Sequence, residues 1–198
     1  QILNIGKSLN RFILIIDSNN SVLFADVFFD STYSDTHPQS ELESVSKIGN
    51  GFVISGHTNQ NLNFGTNGPP VNCDSSGTRC SFFVSYNLNY SVNWVAWGLQ
   101  WKPKTLDIDS NGDIYIIGSH TQYSASLISS SGAYSFSASR PTQAASGCSG
   151  PGINFLAKLS SNGNWLWIQQ NSGTNSINVE YHDIMVLYYH YEIILVIS

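Results

Sequence analysis

One feature constrains this chain more than any other: the same hairpin is written three times. Phe12-Ile-Leu-Ile-Ile-Asp17 leads to Ser21-Val-Leu-Phe24, and Phe82-Phe-Val-Ser-Tyr-Asn87 leads to Ser91-Val-Asn-Trp94. Phe155-Leu-Ala-Lys-Leu-Ser160 then leads to Asn164-Trp-Leu-Trp167. The opening phenylalanines, at 12, 82 and 155, stand 70 and then 73 residues apart. Each time an extended run meets a polar turn (Ser18-Asn-Asn20, Leu88-Asn-Tyr90, Ser161-Asn-Gly163) and leaves it toward an aromatic. That is the signature of a β-hairpin. Its recurrence marks a repeat architecture.

A second pattern falls between these hairpins. Val45-Ser-Lys-Ile-Gly-Asn-Gly-Phe-Val-Ile-Ser-Gly-His-Thr58 matches Ile108-Asp-Ser-Asn-Gly-Asp-Ile-Tyr-Ile-Ile-Gly-Ser-His-Thr121. A short strand runs into Asn-Gly, whose residues tolerate the positive φ of a tight turn, and then into a β-branched strand. No segment of three turns carries apolar residues at helical spacing. The chain therefore reads as all-β, with tandem four-stranded antiparallel sheets. The expected strands are 12–17, 21–28, 43–48 and 51–57, then 82–87, 92–98, 105–109 and 113–119, then 154–159, 165–170, 183–188 and 192–197. These define a single repeat domain over 1–198, with units 11–57, 82–119 and 154–198. The intervals 58–81 and 120–153 read as loop insertions, the second with short extra strands near 123–127 and 132–136.

Phe155-Leu-Ala-Lys-Leu-Ser-Ser-Asn-Gly-Asn-Trp-Leu-Trp167 and Ile108-Asp-Ser-Asn-Gly-Asp-Ile-Tyr-Ile-Ile-Gly118 resemble the β-propeller repeats of bacterial and archaeal secreted and cell-surface proteins, the SBBP-like repeats. The matches at 12–24 and 45–56 are looser. The resemblance implies radial, propeller-like blades of four strands. It says little about activity, because fold does not fix function. Propellers need at least four blades to close. Three units therefore imply a fragment, an assembly of copies, or an open stack, with the aromatic run at 183–198 covered by something.

Composition narrows the partners. Charged residues make up only 11% of the 198, and the eight Lys and Arg are scattered singly against a net charge of −5. Nucleic-acid binding needs a clustered basic footprint, which is missing. No apolar run reaches the roughly 20 residues of a transmembrane segment. A surface of Ser, Asn, Gly and Thr suits a secreted or cell-surface protein, and the start at Gln1 reads as processed or cut from a longer chain. Cys73 and Cys80 lie seven apart in a Pro/Gly/Ser segment, where a disulfide would staple the loop. Cys148 is left over, free or paired elsewhere.

The candidate sites are few. Asp107, Asp109, Asn111 and Asp113 place four oxygen ligands in seven residues, a candidate calcium site and the one cofactor the chain suggests. The spacing fails the EF-hand rule, because Gly112 comes too early and His120 stands where a bidentate Glu belongs. The plainer reading is a hairpin turn. Among the tryptophans, Trp94 and Trp167 share a strand position with Phe24 and belong to the core. Trp97 and Trp101 are less constrained and are the candidates for an exposed sugar platform. Asn19 and Asn89 begin Asn-x-Ser sequons in equivalent turns, a pattern for N-glycosylation. His57 and His120 end equivalent strands but form no HxH or HExxH pair. No nucleophile elbow occurs, so no catalytic residue is nominated.

These readings converge on a non-catalytic structural or adhesive module of the extracellular space or cell surface, acting through contacts with other protein chains or copies of itself. The alternative is a carbohydrate-binding module with glycans as partners. A hydrolase is the third reading and would need two carboxylates, or a Ser/His/Asp set, in one cleft.

Overall fold

The computed structural model describes residues 11–16, 18–28, 41–59, 61–64, 71, 73, 80–99, 101–120, 124–129, 136–139, 153–170, 184–189 and 192–197. All regular structure among them is antiparallel strand. The strands are β1 (Arg11–Ile16), β2 (Val22–Phe28), β3 (Glu41–Ile48), β4 (Gly51–Thr58), β5 (Cys80–Tyr86), β6 (Val92–Leu99), β7 (Trp101–Ile108) and β8 (Ile114–His120). They continue with β9 (Ser124–Ser129), β10 (Phe136–Ser139), β11 (Ile153–Leu159), β12 (Trp165–Gln170), β13 (Ile184–Tyr189) and β14 (Glu192–Ile197). No helix among the described residues is long and apolar enough to cross a membrane.

Local turn chemistry fixes the hairpins. Asn87 Oδ1 accepts from the backbone N–H groups of Asn89 and Ser91, at 2.9 and 3.0 Å. Asp109 Oδ1 accepts from Asn111 and Asp113, both at 2.9 Å. Ser160 Oγ accepts from Asn164 at 3.0 Å. In all three turns the fourth residue donates its N–H to the carbonyl of the first, and it has positive φ: Tyr90 at 60°, Gly112 at 83°, Gly163 at 78°. Asn20, at φ 64°, holds the matching place between β1 and β2. Short polar side chains that bond the backbone two to four residues on favour this turn over extended chain. A bulge follows at the same place in three hairpins, between Ile15/Ile16, Ser85/Tyr86 and Lys158/Leu159.

The hairpins join with a different phase from the sequence units. A first sheet has the order β10-β9-β6-β5-β4-β3, and a second has β12-β11-β8-β7. The four-stranded meanders are thus β3–β6 and β7, β8, β11, β12, each pairing across an interval that reads in the sequence as an insertion. β1–β2 and β13–β14 stand as two-stranded sheets. The described strands form a row of sheets and not a closed ring. A ring-on-glycine contact accompanies the pairing in both sheets. The Phe82 ring lies over Gly56, its register partner, and the Phe155 ring lies over Gly118, where any Cβ would collide with it.

The interval 58–81 is not wholly exposed loop. Leu62, Phe64, Val71 and Cys73 are buried against Ile54, Phe82, Val84 and Val95 of the first sheet. The disulfide between Cys73 and Cys80 is present and ties this cover to the start of β5. From the interval 120–153, β9 pairs with the β6 edge. Residues 121–123 and Cys148 lie outside the described residues.

The sheets stack face to face. The front of the first sheet, with Val53, Phe83, Trp94 and Ala96, packs on the back of the second, with Ile114, Ile116, Phe155, Ala157, Leu159 and Trp165. The back of the first sheet carries Phe82, Val84 and Tyr86. Covered on both faces, β5 is buried along its whole length, as its near-continuous apolar run requires. One contact recurs between successive layers. Phe24 stacks on Tyr90, centroids 4.9 Å apart and planes 16° apart. Seventy residues on, the Trp94 ring covers Gly163, the residue equivalent to Tyr90. The hairpin β1–β2 therefore sits on the first sheet as the first sheet sits on the second. β13 lies against β7 and β8 and continues the row.

Candidate functional site

Among the described residues, the surface with most to offer a partner is the end of this row at β1–β2. Apolar residues that are covered in β5–β6 are bare here. Leu14, equivalent to the fully buried Val84, is 46% exposed, and Ile16, equivalent to the 1% exposed Tyr86, is 52% exposed. Val22, which pairs with Ile16, is 61% exposed. A backbone edge accompanies this face. β5 and β11 each pair on both sides, with β4 and β6 and with β8 and β12, whereas β1 pairs with β2 alone among the described strands. A groove of about 590 Å³ lies between this hairpin and the first sheet, lined by Leu14 and Ile15 on one side and by Leu42, Phe52 and Ile54 on the other. Val45, 67% exposed, stands at its rim. An edge unpaired among the described strands, beside a largely apolar groove, is the kind of surface that strand addition uses.

Two charged clusters lie elsewhere. Glu41 and Glu43 of β3, His57 of β4 and Lys102 of β7 meet where the first sheet faces the second. Glu43 sits at a bulge that keeps it on the same side as Glu41 and His57. Lys102 Nζ lies 2.9 Å from Glu43 Oε1 and 3.2 Å from Glu41 Oε2, and His57 Nδ1 lies 3.0 Å from Glu43 Oε1. His57 is 2% exposed. Burial acts to lower the Lys102 pKa, but its bonds to Glu43 and Glu41 outweigh that and raise it. The three carboxylate and imidazole ligands have the spacing of a metal group. The ammonium of Lys102 already stands between the two glutamates, so the cluster joins the sheets as a salt-bridged lock.

The second cluster contains the calcium candidates. Asp109 Oδ1 is engaged by the turn's own backbone, and Asp107 Oδ1 accepts from the N–H of Ile108 at 2.8 Å. Lys158 Nζ lies 2.8 Å from Asp113 Oδ2, 3.8 Å from Asp109 Oδ2, and 4.8 Å from the centre of the Tyr115 ring. Bonds to Asp113 and Tyr115 hold its ammonium well above the ordinary lysine pKa against the opposing effect of burial. Asn111 is exposed at the turn's tip. The cation at these carboxylates is a lysine from the neighbouring strand. No single residue of the turn signals this, because Lys158 comes from a separate hairpin.

The two tryptophans of the proposed sugar platform part company. Trp97 is half-buried against the back cluster of the first sheet. Trp101 is 2% exposed, with its ring centre 5.5 Å from Phe83, 4.7 Å from Phe155 and 5.5 Å from Trp165. It corrects the expectation of an exposed ring. Strand β7 begins at Trp101 and carries Pro103 through a bulge on the outer edge of the second sheet, where a missing N–H is tolerated. The core placement of Trp94 stands, at 7% exposure. Asn19 and Asn89 are both exposed at matching turn positions. The His120 side chain lies outside the described residues. No protein-family model and no curated protein matches this chain.

Proposed function

We propose that the chain is a non-catalytic module of stacked, propeller-like blades, secreted or displayed at the cell surface, that acts through protein–protein contacts. The SBBP-like resemblance of 108–118 and 155–167 belongs to this reading. The observation that carries it is the β1–β2 face, where Leu14, Ile16 and Val22 are bare beside an edge that is unpaired among the described strands. Contiguous apolar surface of this kind marks an interaction site in a stable protein. The Cys73–Cys80 bridge is compatible with an oxidising compartment. A glycan platform finds less support, because the Trp101 ring has no free face.

A photo-cross-linking residue placed at Ile16, in the cells or culture that make the protein, tests this. Adducts with protein are expected from Ile16 and not from the exposed polar position Ser110. No protein adduct from Ile16 would overturn the reading.

A further inference from the structure

Four hairpin turns share one frame, and asparagine fills the third place in each: Asn19, Asn89, Asn111 and Asn162. All four are exposed. The place two residues further on differs. It is Ser21 and Ser91 in two turns, and Asp113 and Asn164 in the others. Asn19 and Asn89 are thereby the only asparagines among the 198 residues that begin an Asn-x-Ser or Asn-x-Thr triplet.

The fold does not spend this asparagine on closing the turn. Closure falls to the first residue: Asn87 Oδ1 takes the N–H groups of Asn89 and Ser91, and Asp109 Oδ1 and Ser160 Oγ close their turns in the same way. Asparagine at the third place suits the turn in all four, but a hydroxyl two residues on is no requirement of it. Asp113, in that place, is committed to the neighbouring hairpin through Lys158 and the N–H of Ser161. Along the β5–β6 turn Asn89 and Ser91 are exposed, while the half-buried Tyr90 between them stacks on Phe24. Phe24 and Trp94, each three residues beyond the hydroxyl, reach the next turn at Tyr90 and at Gly163. Asn19, Asn89 and Asn162 therefore follow one another along one side of the row.

We propose that Asn19 and Asn89 carry N-linked glycans on consecutive layers along this side, with Asn111 and Asn162 bare. The proposal rests on the secreted part of the reading above, because such triplets are modified on the surface loops of exported chains. The donor is a lipid-diphosphate-linked oligosaccharide of the producing cell. Its anomeric carbon bonds to the asparagine Nδ2 as its bond to the diphosphate oxygen breaks. The lipid diphosphate leaves, the amide nitrogen gives up one proton, and nothing is oxidised or reduced. A glycan there hydrates a chain with only 11% charged residues, beside a Leu88 that is 65% exposed.

Peptide mass spectrometry of the protein recovered from outside the cells that make it tests this. Trypsin separates the two triplets, one in the peptide that follows Arg11 and one in the peptide that follows Arg79. Both peptides should be shifted by the mass of a glycan, and fragment spectra should place it on Asn19 and Asn89. Asn89→Gln and Ser91→Ala should each remove the shift from the second peptide, and Ser91→Thr should keep it. Asn19→Gln should remove the shift from the first. A bare Asn19 or Asn89 on the exported chain, a shift that survives the glutamine variants, or sugar on Asn111 or Asn162 each overturns the proposal. An exported chain with bare triplets that still forms protein adducts at Ile16 overturns the glycans and leaves the contact-module reading standing. Glycans at both sites without adducts at Ile16 do the reverse. A bare chain retained inside the cell overturns the glycans and secretion together.

Discussion

The indole Nε1 of Trp94 donates a 2.9 Å hydrogen bond to the carbonyl oxygen of Ser161, joining the first sheet to a turn of the second. The same ring lies over Gly163, where a Cβ would come within 2.5 Å of Trp94 Cδ2. Gly163 also has φ 78°, which costs an L side chain about 1–2 kcal/mol by itself. Gly163→Ala should therefore destabilise by about 3–4 kcal/mol in urea unfolding, the backbone cost and the clash with the Trp94 ring together. With Trp94→Ala already present, the same change should cost only the backbone part, about 1–2 kcal/mol. Equal costs in both backgrounds would mean that the two residues are not coupled.

Lys158 neutralises two carboxylates, and the Asp109 side chain is 0% exposed. Lys158→Met leaves those carboxylates without their cation, at a cost of about 2–3 kcal/mol at neutral pH, discounted from a fully buried pair because Asp113 is partly solvated. The folded-state pKa of Lys158 is raised. Its contribution is thus fully present below the unfolded value of about 10.4 and is lost as pH climbs through the higher folded value. The stability gap between wild type and variant should hold from pH 6 to pH 10 and narrow at more alkaline pH. A gap that widened there would have the wrong sign.

The hairpins were legible because each is decided within about ten residues. Asn87, Asp109 and Ser160 announce their turns, and the apolar runs beside them announce the strands. The partnership between hairpins was not, since β4 finds β5 across 59–79 and β8 finds β11 across 121–152. The available clue was Cys80-Ser-Phe-Phe-Val-Ser-Tyr86, apolar at adjacent positions and hence a strand covered on both faces and central to its sheet. Trp101 was misplaced for a local reason: Pro103 argues against a strand unless that strand lies on an edge. The Glu41-x-Glu43 spacing was visible, but Lys102 joins it only through sheet stacking, which no sequence period encodes.

Breaking the Cys73–Cys80 bridge should release the cover over the back of the first sheet. A loop closed across seven residues contributes about 2 kcal/mol by the chain-entropy relation. The Cys73→Ala/Cys80→Ala chain should unfold at correspondingly lower urea, and reductant should shift the wild type to match it. A reductant-insensitive midpoint would mean that the buried side chains Leu62, Phe64 and Val71 hold the segment without the bridge.

Trp101 separates the contact module from a sugar binder most directly. Its ring is enclosed by Phe83, Phe155 and Trp165, so Trp101→Ala opens a cavity between the sheets and should cost about 3–5 kcal/mol. Trp97 is half-buried at the back of the first sheet, and Trp97→Ala should cost less than half as much. Urea midpoints measured by far-ultraviolet circular dichroism, which does not depend on the deleted indole, compare the two. A recognition surface behaves in the opposite way, since residues that face a ligand are removed with little loss of stability. A Trp101→Ala chain as stable as wild type would place the ring outside the core and return the two tryptophans to candidacy for glycan stacking.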